Sequence, residues 1–186
     1  MNGTPHAIRR ALGATLCVLL LHGATAHAAD AFEIASPGVP DGGTLSLTHA
    51  GSQNHCGGDD VPPPLQWRNA PAATRSFAIT MFDPDGAKGL GVAHWVLYGI
   101  PVSTTSLAAG GALPAGARVG RNVSGQATYR GPCPPVGDIA HHYIVQIYAL
   151  DLAPDALAAG LTRDALHVAI KDHVLANTSI VLRFGR

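Results

Sequence analysis

Apolar residues gather into short runs set apart by Gly, Pro and Asp, and the runs are rich in β-branched and aromatic side chains. Phe77 to Phe82 (FAITMF) stops at Asp83-Pro84-Asp85-Gly86, a strong turn signal. Val92 to Ile100 is closed by Pro101, and Tyr143 to Leu150 (YIVQIYAL) ends at Asp151. Such bounded runs predict strands. Their near-continuous apolar character predicts burial on both faces or nearly so. Thr44 to Thr48 alternates weakly and predicts another strand. Ser179 to Phe184, with Ile180, Leu182 and Phe184 alternating, predicts the last. Helical spacing is confined to the end of the chain. Thr162 can cap a helix running to about Ala176, with Leu166, Ala169, Ile170, His173 and Val174 three and four residues apart. Pro154 to Ala159 predicts a short helical turn ahead of it. The absence of regular strand–helix alternation argues against a doubly wound sheet, and no internal repeat is present. The expected class is mainly β with peripheral helices. Val102 to Thr128 is rich in Gly, Ala and Ser and has no period, as expected of a functional or mobile loop.

The first residues change the picture of where the domain begins. Arg9 and Arg10 precede an apolar run, Ala11 to Leu21, and Ala26-His27-Ala28 supplies a small-x-small cleavage pattern. The run is too short to cross a bilayer, which takes about 20 apolar residues. Residues 1–28 are therefore expected to be a signal peptide and 29–186 a single domain, periplasmic or secreted. The chain has 12 basic and 12 acidic residues; without Arg9 and Arg10 it is mildly acidic. No cluster of Lys and Arg is present, so nucleic acid is not an expected partner. With Cys17 in the leader, Cys56 and Cys133 remain. An even pair in an oxidising compartment predicts a disulfide, with two buried thiols as the alternative. Closing so long a loop would contribute up to roughly 4 kcal/mol.

Three polar islands lie at predicted strand ends, where sites gather on β scaffolds. They are Asp83-Pro84-Asp85, His94-Trp95, and Tyr129-Arg130-Gly131-Pro132-Cys133-Pro134-Pro135-Val136-Gly137-Asp138 followed by His141-His142-Tyr143. DPD, then HW, then GPCPPxGD with HxY resembles the phosphatidylethanolamine-binding protein (Raf kinase inhibitor-like) family, and its bacterial periplasmic branch above all. Cys56-Gly57-Gly58 and Pro63-Pro64-Leu65-Gln66-Trp67 are similar to that branch as well, as are Leu113 to Ala117, Gly120-Arg121-Asn122 and His173-Val174-Leu175-Ala176. The resemblance implies an antiparallel β-sandwich of two sheets with a few peripheral helices and one small anion pocket. Asp83 matches the pocket carboxylate, and His94 and His141 the two histidines. Tyr143 matches the tyrosine, and Gly131 and Pro132 a wall offering backbone to the anion. The chain departs from the family pattern at Gly86-Ala87-Lys88, where Ala-Pro is usual, and at Val92-Ala93, where an aromatic is common. It departs again at Asp60 and Pro62, which puts one supporting hydrogen bond in doubt.

The chemistry of these residues is coherent without the family. A carboxylate beside histidines favours their charged form. Imidazoles, a phenol and backbone N–H groups together suit a phosphate or a carboxylate. A glycine lets a ligand approach backbone, and prolines stiffen a wall. His142, alternating with His141 and Tyr143, is expected to face the other way as a surface residue, and Asp85 to hold loop backbone rather than ligand. The leading expectation is a module that binds a small phosphate-bearing or carboxylate ligand, acting by itself or by inhibiting a protein partner. A hydrolase using the same groups on an ester is the alternative, although no GxSxG is present. No cofactor is expected, and neither HExxH nor paired-ligand spacing suggests a metal.

Overall fold

The computed structural model describes Met1 and residues 30–186; the signal-peptide expectation and Cys17 fall outside them. Two antiparallel sheets form a β-sandwich. The smaller holds β1 (Glu33–Ala35), β2 (Leu65–Arg68) and β5 (Ser106–Leu107), in the order β1-β2-β5. The larger has the order β6-β4-β3-β7-β8, with β3 Ser76–Asp83, β4 Val92–Pro101, β6 Arg118–Val119, β7 His141–Leu150 and β8 Val174–Phe184. The expected class and the three central runs are thus present. β3 and β4 lie at the centre of the large sheet and are buried on both faces for nearly their whole length.

Ile34, Leu65 and Trp67 of the small sheet meet Phe77, Ile79, Met81, Val145 and Leu182 of the large one in the main core. A second cluster forms on the opposite face, where Ala78, Val96, Tyr98 and Tyr148 pack under Leu166 and Ile170 of α1 (Arg163–Ile170). Each large side chain fully buried in these layers stabilises the fold by roughly 1.5–3 kcal/mol over exposure. Tyr98 also donates its hydroxyl to Ala158 O at 2.8 Å and accepts from Leu161 N, fixing the loop before α1.

Four sequence expectations are corrected. α1 is capped by Thr162, whose hydroxyl accepts from Ala165 N at 3.2 Å, but it ends at Ile170 rather than near Ala176. β8 begins at Val174, five residues ahead of the predicted Ser179. Val174 reaches the same cluster as Leu166 and Ile170, but from a strand, so spacing alone could not separate the two. Pro154 to Ala159 forms turns rather than helix, with Ala156 N bonding Ala153 O. Thr44 to Thr48 is not a strand of its own. Gly42 N and Leu45 N bond Val181 O and Arg183 O on the edge of β8, and a 3-10 turn follows at Leu47–His49. The long loop from Val102 to Thr128 contains the two-residue strands β5 and β6.

Candidate functional site

The antiparallel register brings three strand ends to one edge of the large sheet. Asp83 closes β3 opposite Val92, His94 lies just inside β4, and His141 opens β7 opposite Phe184. A bulge in β4 sets the direction of His94. Met81 pairs with Trp95 and Phe82 with Ala93, so His94 is the extra residue. A bulge re-aims a side chain in this way. Here it puts His94 on a cavity of about 310 Å³ that Asp83 and His141 also line.

Asp83 is almost wholly buried and serves two ends. Oδ1 accepts from Asp85 N at 2.9 Å and Gly86 N at 3.0 Å, fixing the turn after β3. Oδ2 lies 2.8 Å from His141 Nδ1 and 3.9 Å from His94 Nε2. His141 Nε2 lies 3.6 Å from Asp138 Oδ2. Burial opposes charge on His141, but the hydrogen bond and field of Asp83, helped by the contact with Asp138 and the field of Asp85, outweigh it and raise its pKa. His94 behaves differently. Its Nδ1–H donates to Arg130 O at 2.7 Å, which leaves Nε2 as the lone-pair nitrogen of the neutral ring. Burial holds its pKa below the ordinary value despite that bond and Asp83. The expectation of two charged imidazoles is therefore corrected: the structure favours charge on one.

Tyr143 follows His141 on the same face of β7 and is wholly buried. Its ring meets His94 edge-on at 5.1 Å and stacks on His141 at 6.5 Å between centroids. It stands behind the histidines rather than in the cavity wall. Burial raises its pKa, so the hydroxyl remains a donor. Among the described residues neither Tyr143 Oη nor His94 Nε2 has a hydrogen-bond partner.

The wall differs from expectation. Gly131 lines the cavity, but its N–H is donated to Asp60 Oδ1 at 2.7 Å and does not face a ligand. Its missing side chain makes room for protein, since a Cβ there would lie 2.3 Å from the Ala50 carbonyl carbon. Pro132 is buried outside the cavity lining, and its carbonyl accepts from Gly51 N; Pro134 and Pro135 form the wall instead. Asp60, marked in the sequence as a doubtful support, bonds Ser52 N, Ser52 Oγ and Gly131 N. Burial opposes its charge, but these bonds hold its pKa low. Cys56 and Cys133 are joined, with Cα atoms 5.6 Å apart, and Cys133 lines the cavity.

His142 faces away from the cavity, as alternation requires, and is half exposed. Its N–H and Nδ1 both lie 2.8 Å from Asp85 Oδ2. Those two bonds hold the pKa of Asp85 low and tie the turn to β7. Sequence reasoning missed Lys88 and Arg130 as lining residues, although Lys88 follows DPD closely and Arg130 adjoins Gly131. Among the described residues no group of three His, Cys, Asp or Glu could hold a metal ion.

A two-sheet sandwich with a His/Asp pocket at one sheet edge defines a recognisable class, and the comparisons identify it. The phosphatidylethanolamine-binding protein family profile matches residues 35–185, and the chain belongs to that family. It is 40% identical over 128 residues to the Escherichia coli UPF0098 protein YbcL, covering 66% of this chain and 70% of that one. It is 32% identical to E. coli YbhB over 158 residues, covering 82% and 99%. The crystal structure of E. coli YbcL, described as a member of the mammalian PEBP family, superposes with a TM-score of 0.77 at 32% identity, covering 83% and 98%. A putative homologue from Chlamydia trachomatis gives 0.74 at 25% identity, covering 84% and 98%.

Proposed function

We propose that the cavity binds a small anion, a phosphate-bearing group or a carboxylate, and that the protein acts through this binding or by modulating a protein partner. The observation that carries this reading is the buried His94 Nε2, which belongs to a cavity-lining residue and is unpartnered among the described residues beside the Asp83–His141 pair. A buried polar atom without a partner is costly, and a ligand oxygen that carries a proton satisfies this one. A monoprotonated phosphate offers such an oxygen together with acceptors for the protonated His141. Among the described residues the cavity lining carries no hydroxyl, and its one sulfur is in the disulfide. A covalent route through a hydroxyl or thiol therefore has no nucleophile there, which favours binding over the hydrolase reading. The disulfide also supports export to an oxidising compartment.

Calorimetric titration of phenyl phosphate between pH 7 and 9, where it stays essentially a dianion because its second ionisation lies near about 6, tests the reading. We expect affinity to fall as pH rises through the elevated pKa of His141, and to weaken in D83N and H141A. Loss of one charge-assisted hydrogen bond corresponds to about 1.5–3 kcal/mol in a sheltered site. Equal affinity in wild type and both variants would reduce these residues to scaffold.

A further inference from the structure

The cavity is lined by three carboxylates, Asp83, Asp85 and Asp138. With His94 favoured neutral, a protonated His141 alone leaves those groups net negative and repels an anion. The balance comes from two side chains that the Asp/His/Tyr pattern does not contain. Lys88 and Arg130 both line the cavity, Lys88 from the turn after β3 and Arg130 from the segment before the proline wall.

Neither enters an ion pair among the described residues, because the carboxylates around them are already engaged. Asp83 holds His141 and the turn amides. Asp85 holds His142. Asp138 faces His141 Nε2, and Asp60, within the field of Arg130, holds Ser52 and Gly131. The position of Lys88 is also built at a cost. Ala87 and Lys88 are non-glycine residues in the left-handed region, at φ 50° and 60°, where strain persists only when surroundings fix it. Here the Asp83 bonds and the Asp85–His142 pair hold the start of the turn. Past its end, Gly91 packs on Phe82, where a Cβ would lie 2.1 Å from the ring.

We infer that Lys88 and Arg130 are the specificity-determining residues of the pocket, and that they make it selective for small dianions, phosphomonoesters or short dicarboxylates, over monoanions. Two cations brought to one cavity by separate segments can balance two negative charges on one ligand, whether these share a phosphate or sit on two carboxylates. A monoanion engages one of them and still meets the carboxylates. This rests on the anion-binding reading and goes beyond it by assigning the charge class of the ligand.

The experiment is calorimetric titration, at pH 7.5, of phenyl phosphate and succinate against dimethyl phosphate and acetate, into wild type, K88M, R130M and H141A. Wild type should prefer a dianion by at least about tenfold, the ratio that one charge-assisted bond gives. K88M and R130M should each lower dianion affinity by about that factor and leave monoanion affinity within about twofold, so that the preference collapses. The stronger of phenyl phosphate and succinate identifies the dianion class. Matched thermal melts confirm that the variants are folded. If H141A loses affinity while K88M and R130M keep the wild-type preference, the assignment of the two cations is overturned and the anion-binding reading stands. If wild type binds none of the four probes, both fall.

Discussion

His94 and His141 flank Asp83, yet burial and hydrogen bonding drive them in opposite directions. The deciding factor is which ring nitrogen meets the carboxylate. His141 spends Nδ1–H on Asp83 at 2.8 Å and is stabilised as a cation. His94 spends Nδ1–H on a backbone carbonyl and leaves Nε2 3.9 Å from Asp83, too far for a hydrogen bond to offset its desolvation. The signs for stability follow from proton counting. Folded His141 binds more protons than the unfolded chain, so its contribution is full below the unfolded value of 6.5 and is lost as pH rises through its higher folded pKa. Folded His94 binds fewer, so its contribution is full above 6.5 and is lost as pH falls through that value toward its lower folded pKa. We expect imidazole NMR titrations to place the His141 midpoint above 6.5 and that of His94 below it, with D83N lowering the first. Coincident midpoints in wild type would contradict this account. The sequence made the pairing of these residues legible through DPD, HW and HxY, but not their protonation. That depends on the β4 bulge, which no local pattern announces.

Between Thr162 and Val174 the chain shows where periodicity misleads. Leu166, Ile170 and Val174 keep a four-residue spacing and share one apolar cluster, but the helix stops after Ile170 and a turn delivers Val174 as the first residue of β8. His173 sits in that turn. Its N–H bonds Ile170 O, its carbonyl accepts from Asp151 N, and its Nδ1 lies 2.8 Å from Asp151 Oδ1. Its role is thus structural, and the side-chain pair is nearly half exposed, at 43% and 46%. Exposed pairs of this kind contribute about 0.2–1 kcal/mol. H173Q should therefore lower stability by no more than that in urea melts and leave anion affinity unchanged. The cap is worth more: T162A removes the acceptor of Ala165 N and should cost about 1 kcal/mol. A larger loss in H173Q than in T162A would mean that the turn, not the cap, holds α1 in place. At Gly131, the expectation of a ligand-facing amide failed for a reason of packing. The sequence showed a glycine beside a proline run, but not that the backbone of Ala50 and Gly51 fills the space a side chain would take.

At the scale of the molecule, the pocket is assembled from segments far apart in the chain, and the Cys56–Cys133 disulfide, spanning 77 residues, joins two of them. The bond ties the Pro134–Pro135 wall to the loop that carries Asn54, another lining residue. The same wall is held from the chain's end, where Arg186 donates to Pro134 O at 2.6 Å and to His55 O at 3.1 Å. The cysteine pair was legible in the sequence from a count and a compartment. Its place in the cavity wall was not, because that follows from how the loops close over the sheet edge. A bond of this span restrains the unfolded chain by up to roughly 4 kcal/mol. It also fixes wall geometry that Gly131, Pro132 and the Asp60 bonds hold only in part. We therefore expect two separable effects in the C56S/C133S double variant. Urea midpoints should fall, by up to roughly that energy, relative to the oxidised protein. Phosphate affinity should also fall under conditions where the variant is still fully folded, because Cys133 and its neighbours lose one of their anchors. Mass spectrometry of the non-reduced wild type should find a single bridged pair of peptides. A variant that loses stability but binds phosphate as tightly as wild type would show that the remaining hydrogen bonds, Arg186 to Pro134 among them, suffice to hold the wall.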